Sequence, residues 1–279
     1  MINTDLNDIV STEIWVDHPD GRIFVQRWTP DEQTQGDGSH PPRPAPIVLF
    51  HDSLGCVSLW RDFPARLSAA TGREVLAYDR LGFGRSGPRK GIPGIGFIAD
   101  EAVTVFPLLR EQLGLRRFVA FGHSVGGGMA IHCAARFPDD CEALVTEAAQ
   151  TFLEDRTIQG ITLAKEQFKD PQQIGRLRKY HGEKAQWVVD AWTETWLNPA
   201  FADWTLAGVL PGVRCPVLAI HGIFDEYGST RHPEMIASLA GGPARAAVMD
   251  QTHHVPHRER GDEVLAMVSG FLESGSASG

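Results

Sequence analysis

The chain has 279 residues, with 26 Lys plus Arg against 35 Asp plus Glu, and its formal charge of −9 leaves no broad basic footprint for nucleic-acid phosphates or an anionic membrane. Hydrophobic residues at 42% and charged residues at 22% exclude a disordered chain, and a chain of this size buries roughly three quarters of its unfolded surface, so its core needs no metal or disulfide staple. Four cysteines (Cys56, Cys133, Cys141, Cys215) without CxxC spacing argue against structural zinc and fit a reducing, cytoplasmic setting. Residues 1–10 lack the basic start of a signal peptide, and no apolar run approaches the ~18 residues of a membrane span.

In chain order, residues 12–16 and 22–28 are β-rich runs around His18, Pro19, Asp20 and Gly21, a hairpin turn in which Pro sets φ and Gly accepts positive φ. Residues 30–46 are polar and rich in Pro and Gly, hence a surface loop. Short apolar runs at 47–50, 75–78, 118–121, 143–145 and 217–220, with a weaker one at 246–249, read as strands buried on both faces. Between them, residues 59–70, 98–113, 126–137 and 262–271 carry helical spacing, and residues from 274 read as a flexible tail. Strand–helix alternation predicts an α/β fold with a mainly parallel sheet. Residues 151–205 break the alternation. They are rich in helix formers and hold Trp187, Trp192, Trp196 and Trp204, which predicts a helical insertion over the sheet.

The strongest chemical signal is Gly122, His123, Ser124, Val125, Gly126, a G-x-S-x-G pentapeptide between a buried strand and a helix. A serine held on such a strained turn projects its hydroxyl, and the positions two before and two after it have no room for a side chain. Serine needs a base, and the base an orienting acid. Asp225 lies just past the strand at 217–220, with Glu226 adjacent and Glu147, at the end of another strand, as the alternative carboxylate. The base candidates are His253, His254 and His257. The i,i+4 pair His253 and His257 would suit a metal on a helix, but Pro256 disfavours that helix and no carboxylate cluster accompanies it, so no metal is expected. No dinucleotide fingerprint or Walker loop is present, and the glycine-rich stretch 91–96 reads as the entry to a helix, so no cofactor is expected.

Together these motifs resemble the α/β-hydrolase superfamily. His51 to Gly55 looks like its oxyanion loop, Asp79 to Ser86 matches its D-x-x-G-x-G-x-S segment, and the elbow reads GHSVGG. HGIFDEYG carries the acid, and His254, Val255, Pro256 match the family's His-x-Pro. The resemblance spans residues 22–272. It implies an α/β-hydrolase core over 1–150 and 206–279, a variable helical cap over 151–205, and a triad of Ser124, Asp225 and His254, leaving His257 as a supporting or surface residue. It also implies an oxyanion hole from the N–H groups of Ser53 and Val125. Asp52 stands where most relatives have Gly, which makes the Ser53 half the less regular one.

A serine nucleophile disfavours the branches that use a carboxylate, and the expected activity is hydrolysis of a carboxylic ester or related acyl bond of a small hydrophobic substrate. Trp192 and Trp196, at i,i+4, read either as the cap's own core or as an apolar substrate wall. Arg176, Arg178 and Lys179 read as a solvated helix face. Exposed cap tryptophans would suit a homodimer formed through the cap. The rival activities are C–C bond hydrolysis or lyase chemistry on the same triad, peroxide-dependent oxidation, and slow-turnover ligand reception.

Overall fold

The computed structural model describes residues 6–31 and 44–276. Strands β1 (Ile9–His18) and β2 (Gly21–Pro30) form the expected hairpin, each running further than its β-rich centre. Residues 32–43, most of the expected surface loop, lie outside the described residues. The remaining strands are β3 (Ile47–Phe50), β4 (Val75–Tyr78), β5 (Phe118–His123), β6 (Cys141–Glu147), β7 (Val217–Gly222) and β8 (Ala244–Met249). They form one eight-stranded sheet in the order β1-β2-β4-β3-β5-β6-β7-β8. The hairpin pairs antiparallel with β4, and every pairing from β4 to β8 is parallel.

The central strands carry unbroken apolar runs because both faces are covered. Val48, Phe50, Phe118, Ala120, Val217 and Ala219 face the core under α3 (Phe106–Leu113) and α4 (Val125–Arg136). Their alternating neighbours Ile47, Leu49, Val119, Phe121, Leu218 and Ile220 face the core under α1 (Phe63–Thr71) and α10 (Gly261–Ser276). This period of two within unbroken apolar runs is what fixes the two layers of helix.

Two element expectations are corrected. The helix expected over 98–113 is three pieces: α2 (Phe97–Asp100), one π-helical turn (Glu101–Val105) and α3. Pro107 has no N–H, and its ring crowds the carbonyl of Val103, so a regular ladder cannot pass through that turn. The end expected to be flexible from residue 274 continues as α10 to Ser276; residues 277–279 lie outside the described residues.

Between β6 and β7 the chain forms α5 (Asp155–Gln167), α6 (Pro171–His181) and α7 (Ala185–Trp196). A lone antiparallel bridge between Phe152 and Thr205 closes the neck of this insertion. The insertion grips the loop after β4. The Lys184 ammonium donates to the carbonyls of Gly84 (2.8 Å) and Ser86 (2.5 Å), His181 Nδ1 accepts from Gly84 N at 2.9 Å, and a Cβ on Gly82 would lie 2.1 Å from the Trp187 ring. Helices α8 (Arg231–Leu239) and α9 (Pro256–Glu259) complete the fold. Among the described residues no helix is long and apolar enough to cross a membrane.

Candidate active site

Ser124 sits between β5 and α4 at φ 55°, ψ −124°, a conformation costly for a residue with a Cβ. Two glycines make the turn sterically feasible. A Cβ on Gly122 would lie 2.2 Å from the Gly126 carbonyl oxygen, and one on Gly126 would lie 2.1 Å from the Phe50 carbonyl oxygen. Both obstacles are backbone, so neither can swing aside. Ser124 N donates to the Glu147 carbonyl at 2.8 Å, tying the turn to β6.

The loop after β7 carries Asp225, and the loop after β8 carries His254. His254 Nε2 lies 3.1 Å from Ser124 Oγ, and His254 Nδ1 lies 2.9 Å from both Asp225 oxygens. Asp225 is fully buried and also accepts from the N–H groups of Tyr227 (2.8 Å) and Gly228 (3.2 Å). Burial opposes its charge, but His254 beside it and these donors together hold its carboxyl below the usual carboxylate range. Glu226 and His253 sit outside this line, exposed, with 3.8 Å between their nearest charged atoms.

The other carboxylate, Glu147, has a different partner. It accepts from His257 N and from His257 Nδ1, both at 2.6 Å, with both side chains buried. The surface option for His257 is thereby corrected: Pro256 opens α9, and the turn carries His257 inward onto β6 while His253 stays exposed. Burial opposes the Glu147 charge, but the His257 contacts and the nearby His123 hold its carboxyl down; burial keeps His257 below its ordinary value. His123, Glu147 and His257 bring potential ligand atoms within 4.8 Å of one another. Those atoms are already engaged, His257 with Glu147 and His123 Nε2 with the His254 carbonyl at 2.8 Å.

Ser53 and Ser124 both line a cavity of about 90 Å³ that also reaches Gln150, Tyr227 and His254. Val125 is the first residue of α4, directly after Ser124. A second chamber of about 520 Å³ shares Ser53, Trp192 and Trp196 with the first and extends past Arg80 and Glu101. The two tryptophans both pack against other aromatic rings and face the cavities. Trp196 packs on Phe201 and Trp204, and Trp192 meets Tyr227 edge-on, while both line the two chambers. Of the four cap tryptophans, Trp196 is buried and Trp187, Trp192 and Trp204 are partly exposed. Arg176, Arg178 and Lys179 are exposed on α6.

The D-x-x-G-x-G-x-S segment has a local role. Asp79 accepts from Val57 N and Arg85 N, both at 2.6 Å, and Gly84, at φ 43°, has no room for a Cβ against that carboxylate. Sequence reasoning missed Gln150, whose Oε1 lies 3.4 Å from Ser124 Oγ, and Tyr227, whose ring packs 4.8 Å from that of His254. Their positions just past β6 and β7 were the available signal.

A mostly parallel sheet with a serine on a strained strand-to-helix turn and a long helical insertion over its edge defines a hydrolase-type α/β architecture. Residues 45–203 match the family model described as alpha/beta hydrolase fold, and the chain belongs to that family. It is 27% identical over 214 residues to the bifunctional esterase/perhydrolase DCH of Acinetobacter calcoaceticus, covering 66% of this chain and 76% of that protein. It is 24% identical over 250 residues to the human serine hydrolase BPHL, covering 86% and 82%. Among solved structures, the 2-hydroxy-6-oxo-6-phenylhexa-2,4-dienoate hydrolase of Rhodococcus sp. strain RHA1 shares the fold, with TM-score 0.75, 15% identity, and 95% and 99% of the two chains covered.

Proposed function

We propose that the protein is a serine hydrolase that cleaves a carboxylic ester, or a related acyl bond, of a small hydrophobic molecule. The observation that carries this reading is the unbroken line from Ser124 Oγ to His254 Nε2 (3.1 Å) and from His254 Nδ1 to Asp225 (2.9 Å), opening on a cavity. The esterase activity in the name of the Acinetobacter relative agrees with it.

In this mechanism Ser124 Oγ attacks the substrate carbonyl carbon as His254 Nε2 takes its proton. The buried Asp225 carboxylate keeps the proton on Nδ1 and stabilises the imidazolium. The N–H groups of Ser53 and Val125 receive the developing oxyanion, where one donor is worth ~2.7–4 kcal/mol. The alkoxide leaving group takes the proton from His254 and departs as an alcohol. Water, deprotonated by His254, then attacks the acyl-serine and releases the acid.

Residues 151–205 act as a cap on a core of residues 1–150 and 206–279. Trp192 and Trp196 form the substrate wall, with one side of the scissile bond in the small chamber and the other in the large one.

The test is burst hydrolysis of p-nitrophenyl esters from acetate to decanoate by the wild type and by Ser124→Ala. The expected result is release that depends on Ser124 with a preferred chain length. Absence of release on any ester, with the protein folded, would overturn the reading in favour of C–C bond cleavage or ligand reception.

A further inference from the structure

Asp52 occupies the oxyanion-loop position where most relatives have glycine, and the structure shows what its side chain does there. Asp52 Oδ1 accepts from Leu54 N at 3.1 Å, and a Cβ on Gly55 would lie 2.3 Å from the same oxygen. The carboxylate is thus folded back over Gly55, an arrangement only a residue without a side chain at 55 permits. Its other oxygen, Oδ2, lies 3.5 Å from His123 Nδ1, long for a hydrogen bond but within ion-pair range.

His123 is the residue before Ser124 and is buried. Its second ring nitrogen, Nε2, lies 2.8 Å from the carbonyl oxygen of His254. A carbonyl offers no proton, so Nε2 must carry one. Nδ1 faces a carboxylate, and a bare lone pair there would set two acceptors against each other. A proton on each nitrogen would satisfy both contacts, and a ring so protonated is an imidazolium. Other groups around it are consistent with that charge: Glu147 on β6 is an anion, and His257 on α9 is held neutral by burial. Burial opposes the His123 charge, but Asp52 and Glu147 together raise its affinity for the proton. Burial opposes the Asp52 charge, but His123, with Arg258 further off, keeps it ionised.

We infer that Asp52 and His123 are a positioning pair: one imidazolium joins the loop that carries Ser53, the turn that carries Ser124 and the backbone of His254. Neither residue touches the reacting atoms. The pair holds the three parts in register, and losing the His123 proton releases the Asp52 side of the tie.

The activity arm of the test rests on the serine hydrolase reading, and the protonation arm does not. The variants are Asp52→Asn, which keeps the shape and removes the charge, and Asp52→Gly, which restores the common residue. Nitrogen chemical shifts of the His123 ring, recorded from pH 6 to 10 on the full chain, report its protonation directly. Wild type should show both nitrogens protonated at pH 7. Asp52→Asn should lose one of those protons at a pH at least one unit lower, and a separate loss of fold would show in the remaining spectrum.

With p-nitrophenyl acetate, Asp52→Asn should lower kcat by roughly tenfold to a hundredfold, as small misplacements of reacting groups do, with KM little changed. The alkaline limb of its rate profile should move toward neutrality, which a purely structural role would not cause. A neutral His123 ring in the wild type at pH 7 would overturn the inference. So would Ser124-dependent hydrolysis whose kcat and alkaline limb are the same in Asp52→Asn as in the wild type. Hydrolysis indifferent to Ser124→Ala would instead overturn the hydrolase reading, and the ring titration would then decide alone whether the pair exists.

Discussion

Two buried carboxylates stand at the same edge of the sheet, and replacing each by its amide separates a chemical from a structural acid. Glu147 accepts two 2.6 Å bonds from His257, and neither side chain is more than 2% exposed. Glu147→Gln keeps one acceptor oxygen and turns an NH2 toward the remaining donor. The change forfeits one charge-assisted bond, about 1.5–3 kcal/mol, and leaves a buried donor unsatisfied, about 1–3 kcal/mol more. Together the two put the loss in the middle of their combined range, at about 3–5 kcal/mol. At about 2 °C per kcal/mol for a chain of this length, the unfolding midpoint should fall by about 6–10 °C.

Turnover should fall by less than about tenfold, equivalent to 1.4 kcal/mol of barrier, because Glu147 does not touch His254. Asp225→Asn should behave in the opposite way. The amide still fills its site, but it no longer favours the His254 tautomer that accepts the serine proton, and kcat should drop by about 10⁴. Circular dichroism melts and ester hydrolysis on both variants measure the two effects. A drop of about 10⁴ in Glu147→Gln with an unmoved midpoint would refute the assignment and make Glu147 the acid.

Gly126→Ala should abolish activity and lower the yield of folded protein, since its Cβ would lie 2.1 Å from the Phe50 carbonyl oxygen and one of two backbone segments must move; soluble expression and hydrolysis check this. Trp192→Ala should shift the preferred p-nitrophenyl ester toward longer chains by joining the two chambers, whereas an unchanged chain-length profile would remove Trp192 from the substrate wall. Acid should destabilise the fold early. Burial holds His51, His132, His181, His221, His232 and His257 below their ordinary values, His232 down to about 4. The unfolded chain takes up these protons below about pH 6.5 while the native state does not, so stability falls as pH drops from there toward 4. Urea melts at pH 8, 7, 6 and 5 measure it, and equal midpoints across that range would contradict it. His123 has the opposite sign: its contribution is present below its ordinary value and is lost as pH rises through its raised folded one.

Much of this was local enough to be written in the chain. Unbroken apolar runs at β3, β5 and β7 imply strands covered on both faces, because no strand with one wet face can be apolar at every position. Gly122 and Gly126 mark the elbow because the clash they avoid lies within one turn of the chain. Parallel pairing sends the C-terminal ends of β5, β6, β7 and β8 to one edge, so Ser124, both candidate carboxylates and the three histidines were placed near one another once the alternation was read. The choice of His254 over His253 and His257 needed the family resemblance, since three histidines within five residues are chemically alike on paper.

What tertiary structure decided are the contacts between residues far apart in sequence. Whether Glu147 or Asp225 faces His254 depends on how α9 turns His257 inward, which no local pattern encodes. Trp192 and Trp196 carry an apolar surface that suits either a core or a cavity wall; only the seating of α7 over the sheet brings them against other aromatic rings and the cavities at once. Asp52 looked like an irregularity in a glycine position. Its meaning lies 71 residues away, on a buried imidazole whose two nitrogens are both met by oxygen. Charge pairing in a buried space is set by which elements pack together, and that is a property of the folded chain alone.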